Sequence, residues 1–241
     1  MAVPSRYYRP LLDSFEERGW SAHALGRRGF EDDGIRASWK HDWSYADEIQ
    51  DLADAVLKAR AEDPDRPVLV LGHSLGGQVA LGHDLAHQPV DGLVLVGVSV
   101  PHFRRYPYGG LGILAMGLLT PIVTRLAGHL PKPAFGAPGA RTLMREWAAW
   151  ARTGTPPFPV PAPVTTPTLS VKLQADAYAV SAATDAFVDL MIDPAHLTRW
   201  TYTRAAAPEG ATTDHVRWVR RPDVVVDRVL AWWDEQQVTP R

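Results

Sequence analysis

The stretch Val68-Leu69-Val70-Leu71-Gly72-His73-Ser74-Leu75-Gly76-Gly77 decides how this chain is read. A short apolar run reads as a buried strand. A glycine-rich tight turn follows, then a helical-looking segment over 76–87. Strand, turn and helix place Ser74 at the apex. Such a turn holds the serine backbone in a strained conformation and lifts its hydroxyl clear of the sheet. Glycines two positions before and two after the serine are expected to be obligatory, because side chains there would collide where strand and helix approach. Ser74 is therefore the candidate nucleophile.

Working outward, 241 residues suit one α/β domain with an insertion better than two domains. The formal net charge of -2, with basic pairs scattered among acids, argues against a nucleic-acid partner. Without cysteine there can be no disulfide, thiolate metal site or cysteine nucleophile; this fits a reducing compartment. The first residues lack the apolar core of a signal peptide, so a cytoplasmic location is expected.

Residues 9–18 read as a helix, Trp20 to Leu25 as a strand, and Ser44-x-x-Asp47 as a capping box opening a helix that ends at Asp63-Pro64. Pro67 to Leu71 is the strand before the serine. Residues 92–100 are continuously apolar, as in a parallel strand covered on both faces. The alternation then breaks over residues 101–161. This insert holds an apolar helix at Leu111–Leu126, a Pro/Gly loop, a helix at Arg141–Arg152 carrying Trp147 and Trp150, and a proline-rich linker. Leu111–Leu126 falls short of the ~20 residues a membrane span needs and carries Pro121 and Arg125. It reads as a cap helix, with membrane-surface contact as the alternative, and no spanning segment is expected. Alternation resumes with a strand at Thr168–Leu173, a helix at Thr184–Met191, a strand at Leu197–Thr203 and a last helix at Pro222–Gln236. The pattern predicts an α/β fold: a mostly parallel, doubly wound sheet with a helical cap insertion.

A serine hydroxyl needs a base, and the base an orienting carboxylate. In open parallel sheets such groups gather beyond the carboxyl ends of the strands. Of nine histidines, that rule leaves His102, just past the 92–100 strand, and His215, after the last strand. His215 is favoured by the chain order serine, acid, histidine. Asp176 follows the Thr168–Leu173 strand and is the preferred acid; Asp214, beside His215, is the rival. His73, His102, Trp147 and Trp150 are assigned to substrate binding, with a mainly apolar acyl pocket expected from the insert.

On Gly72-His73-Ser74-Leu75-Gly76-Gly77, Asp176 and His215, the chain resembles the α/β-hydrolase superfamily over nearly its whole length. Arg6-Tyr7-Tyr8-Arg9-Pro10 and the tryptophan-bearing insert look like a group of bacterial esterase- or lipase-like hydrolases. The resemblance implies a hydrolase core at 1–100 and 162–241 and a cap at 101–161. It implies Ser74 as nucleophile, His215 as base, Asp176 as orienting acid and the Leu75 N–H as one oxyanion donor. A serine at the apex, not an aspartate, points away from the dehalogenase and epoxide-hydrolase branches. No cofactor and no metal are expected, and the implied partner is a small ester or thioester.

The front departs from the family pattern. Members usually carry two or three strands before the first helix; here that helix begins near residue 9, so the fold is expected to be N-terminally shortened. A clipped start is the preferred explanation. Met1-Ala2-Val3 matches the oxyanion loop, which puts the second donor near Ala2. One sheet edge is expected to lie open, and Gly26 stands where an aspartate is usual. Two other readings remain: a catalytically impaired hydrolase fold that binds an apolar ligand or partner, and a metal site on His83-Asp84-Leu85-Ala86-His87, whose two histidines are one helical turn apart.

Overall fold

The computed structural model describes residues 3–31, 34–132 and 138–238. In chain order its helices are α1 (Arg9–Glu16), α2 (Tyr45–Glu62), α3 (Leu75–Ala86), α4 (Leu111–Ala127), α5 (Arg141–Thr153), α6 (Ser181–Met191) and α7 (Asp223–Val238). Its strands are β1 (Leu69–His73), β2 (Gly92–Val96), β3 (His129–Leu130), β4 (Gly139–Ala140), β5 (Thr168–Leu173) and β6 (Leu197–Tyr202). Four strands form one parallel sheet in the order β1-β2-β5-β6, and β3 and β4 make a separate antiparallel ladder.

β2 shows why the sheet is covered on both faces. Every residue of Gly92–Val96 is buried. Successive side chains of a strand point to opposite faces. Leu93 and Leu95 accordingly join one apolar cluster, with residues of α2, α3, α5 and α6. Val94 and Val96 join the other, with Leu11 of α1 and Val225, Val229, Trp232 and Trp233 of α7. Helices thus flank both faces of the sheet, the doubly wound arrangement. β2 stops at Val96 rather than Val100 because Gly97 turns the chain at φ +56.

The capping box forms: Ser44 accepts the Asp47 N–H, and the Asp47 carboxylate accepts the Ser44 N–H. The expected strand at Trp20–Leu25 does not; no residue of that segment joins a ladder. Among the described residues, β1 has a strand neighbour only on its β2 side. β1 is thus an edge strand with half-buried side chains, and its open side does not take up this segment.

Between β2 and β5 the chain runs through α4, the β3–β4 ladder and α5. Tyr108–Ala127 is long and apolar enough to cross a membrane by length and composition. Within the fold, however, α4 packs on α5. Gly117 permits the close approach: a Cβ there would lie 2.9 Å from Arg152 Cγ and 3.2 Å from the Ala148 carbonyl oxygen.

Candidate active site

Ser74 stands between β1 and α3 with φ 56 and ψ -124. Positive φ is costly for a residue with a Cβ, about 1–3 kcal/mol, and persists only where the surroundings impose it. Here the Ser74 N–H donates to the Val96 carbonyl at 3.0 Å, and its own carbonyl accepts the Gly77 N–H at 3.0 Å. The strand–helix approach depends on Gly72 and Gly77: a Cβ on Gly72 would overlap the Gly77 backbone, and one on Gly77 would overlap Val98. Gly76 corrects the sequence expectation. A Cβ there meets nothing within 4 Å, so its glycine is not sterically required.

The chain brings His215 and Asp176 to this turn from the carboxyl ends of β6 and β5. The Ser74 Oγ lies 2.9 Å from His215 Nε2, and His215 Nδ1 lies 2.7 Å from Asp176 Oδ2. Asp176 Oδ1 is held separately by the N–H groups of Tyr178 and Ala179, at 2.8 and 2.7 Å. The carboxylate therefore cannot rotate freely, and its remaining oxygen faces the imidazole. Nδ1–H donates to Asp176, which leaves Nε2 free to accept the serine proton. Both partners are enclosed, with side-chain exposures of 7% for His215 and 1% for Asp176. The Leu75 N–H, first in α3, has no partner among the described residues and is free to donate.

Asp214 is occupied elsewhere. It accepts from Val216 N–H, Arg217 N–H, the Arg217 guanidinium and the Thr212 hydroxyl. Burial pushes its carboxyl up, but these donors, led by the Arg217 N–H, prevail and hold it down at about 2.

Two supports escaped the sequence. Gly97 backs the Asp176–His215 pair: a Cβ there would lie 3.0 Å from Asp176 Oδ2 and 3.3 Å from His215 Nδ1. Its signal was a glycine closing the apolar run 92–96. The second is a clamp through His73. The Tyr8 hydroxyl donates to His73 Nδ1 at 2.8 Å, so Nε2 carries the proton and donates to the His215 carbonyl at 2.7 Å. Trp218 meets the same ring edge-on, and its N–H, 3.5 Å from an already protonated nitrogen, has no acceptor there. Burial, and next the adjacent His215, lower His73 to about 3, so the ring is neutral. His73 thus holds the His215 loop in place, with both ring nitrogens engaged by protein groups.

Other expected substrate contacts move. Trp150 is fully buried against Tyr45, Phe158 and Phe187, and Trp147 is 5% exposed within the same core cluster. The apolar face of α5 turns inward, so both are core residues. His102 lines a cavity of about 400 Å³ with Val100, Arg105, Ala182, Asp185 and Leu190; neither Ser74 nor His215 lines it. Ala2 lies outside the described residues. His83 and His87 stack 5.3 Å apart. The Asp84 carboxylate turns instead to the Val90 N–H and the Thr166 hydroxyl.

A parallel sheet, helices on both faces and a strained serine turn at the carboxyl edge make this an α/β hydrolase fold. A family model described as serine aminopeptidase, S33, matches residues 1–151, and the chain belongs to that family. The match includes Ser74 and ends before Asp176 and His215. No curated protein matches the chain. Among solved structures, it is similar to a pyrethroid hydrolase from Sphingobium faniae JZ-2, at 17% identity and TM-score 0.60, covering 97% of this chain and 94% of that one. It is also similar to the Paleococcus ferrophilus monoacylglycerol lipase, at 14% identity and TM-score 0.62, covering 96% and 91%. A lipase-esterase related protein from Clostridium acetobutylicum ATCC 824 matches at 10% identity and TM-score 0.61, covering 96% and 90%. At these identities the likeness concerns the fold.

Proposed function

We propose that this protein is a serine hydrolase of carboxylic esters or thioesters with a mainly apolar acyl group. The observation that carries the reading is the continuous hydrogen-bonded chain Ser74 Oγ, His215 Nε2 and Nδ1, Asp176 Oδ2, at 2.9 and 2.7 Å. As the Ser74 oxygen bonds to the substrate carbonyl carbon, its proton passes to His215 Nε2. Asp176 stabilises the resulting imidazolium. The carbonyl oxygen, now an oxyanion, takes the Leu75 N–H. The tetrahedral adduct collapses, the bond to the alcohol or thiol breaks, and Nε2 returns the proton to that leaving group. Water, deprotonated by His215, then releases the acid and regenerates the serine.

The family description names an aminopeptidase. An aminopeptidase needs a carboxylate for the substrate ammonium, and the sequence from Gly92 to Arg145 contains no Asp or Glu. The next acid, Glu146, accepts the Tyr45 N–H. That segment therefore supplies no carboxylate for a substrate ammonium, which favours an uncharged acyl group. In this reading residues 101–161 act as a cap over the site.

The test is a panel of p-nitrophenyl esters of rising chain length beside aminoacyl p-nitroanilides, assayed with wild type and Ser74→Ala. Ester turnover that disappears in the variant supports the proposal. Turnover confined to the anilides, or equal in both proteins, refutes it. No turnover of any substrate favours an impaired hydrolase fold that binds an apolar ligand.

A further inference from the structure

The outer face of α4 has no partner among the described residues. Leu111, Leu118, Leu119, Ile122 and Leu126 are 51–77% exposed. On helical spacing they fall, with exposed Ala115, within one arc of about 100°. The opposite side carries Gly117, Thr120 and Thr124, all buried. Only 22% of the most apolar window of Tyr108–Ala127 is buried within the protein, so α4 is packed along one side and bare along the other. Apolar side chains clustered in this way mark an interaction surface rather than scattered surface leucines.

The charge around this face selects the partner. No Asp or Glu occurs between Asp91 and Glu146, whereas Arg104, Arg105, Arg125 and Lys132 do. All four are exposed, and none forms an ion pair with a described residue. Elsewhere many surface arginines are paired, for example Arg18 with Asp227, Arg28 with Asp51 and Arg66 with Asp63. Asp185 and Asp189 share a cavity with Arg105, but Lys172 and Arg199 engage them, so the apolar stripe keeps unpaired cations beside it. That combination suits an anionic lipid surface, where leucines enter the acyl boundary and cations meet headgroups. A second copy of the chain would instead bring like charges together. We infer that α4 docks this protein in the plane of an anionic membrane, with Leu111, Leu118, Leu119, Ile122 and Leu126 inserted. The inference is independent of the chemistry at Ser74.

Vesicle flotation tests it, with phosphatidylglycerol mixed into phosphatidylcholine, and with pure phosphatidylcholine. Wild type and Ser74→Ala should bind the anionic vesicles alike, and less as salt rises. Leu119→Asp/Ile122→Asp, at positions more than half exposed, should stay folded with a Tm only a few degrees lower and bind at least about tenfold more weakly. Arg104→Gln/Arg105→Gln should lose about fivefold per charge on anionic vesicles only. Absence of wild-type binding, undiminished binding by the aspartate variant, or equal binding to pure phosphatidylcholine overturns the inference. A dimer in light scattering that the aspartate variant dissociates does so too.

Discussion

Gly97→Ala tests how tightly the Asp176–His215 pair is seated. Gly97 has φ +56, where an alanine costs about 1–2 kcal/mol. The new methyl would also lie 3.0 Å from Asp176 Oδ2 and 3.3 Å from His215 Nδ1. Both contacts are tighter than ordinary, so the pair must retreat by a few tenths of an ångström. Asp176 has little room to retreat, because two backbone N–H groups grip its other oxygen. The Ser74–His215 alignment should give way instead. At about 2–4 °C per kcal/mol for a chain of this size, Tm should drop by about 2–8 °C. Since displacements approaching an ångström cost about 100-fold in rate, kcat/KM on a p-nitrophenyl ester should fall by about 10–100-fold. Gly76→Ala is the matched control: it meets no atom within 4 Å and has no positive φ. It should keep full activity and raise Tm by about 1–4 °C. Wild-type kcat/KM and Tm in Gly97→Ala would refute the account of this packing.

Ser74→Gly should lose all ester turnover yet melt higher than Ser74→Ala, because glycine releases about 1–3 kcal/mol of strain at φ 56; equal melting points in calorimetry would show that the turn is relaxed. Tyr8→Phe should cost about 1–2 kcal/mol in urea unfolding, because it leaves His73 Nδ1 without its donor; a change within error would remove the clamp from the account. His73 titrates near 3 in the fold because of burial and the adjacent His215, against an ordinary 6.5. Below pH 6.5 the unfolded chain takes up a proton that the fold refuses, so stability is lost as pH falls from about 6.5 toward 3. The slope reaches about 1.4 kcal/mol per pH unit for this group. His73→Gln can still donate to the His215 carbonyl and should flatten the acid limb by about one proton. His83, lowered to about 4 mainly by burial, keeps its own contribution. An unchanged slope in urea unfolding between pH 4.5 and 6.5 would contradict this.

Much of the architecture was legible because it follows from local rules. The apolar run at 92–100 announced a strand covered on both faces, although the strand itself ends at Val96. Ser44 and Asp47 announced a helix start. The strand-end rule led to Ser74, Asp176 and His215, three side chains the fold does bring together. What escaped depends on partners. Trp20–Leu25 has the composition of a strand, but a ladder needs a neighbour, which sequence alone does not reveal. Trp147 and Trp150 marked an apolar face of α5 correctly as apolar, while only packing shows that it turns into the core. The engagement of the His73 ring by Tyr8 and the His215 carbonyl joins residues far apart in sequence and could not be read from the turn alone. Gly76 looked obligatory by spacing, whereas the crowded positions are Gly72, Gly77 and Gly97.

All the proposed chemistry rests on His215 activating one hydroxyl. Labelling with a fluorophosphonate, followed by peptide mass spectrometry, reads this directly. The account predicts a single adduct, on Ser74, whose rate of formation falls by at least about 1,000-fold in His215→Ala. An adduct on another residue, or labelling of Ser74 at the same rate without that imidazole, would contradict it.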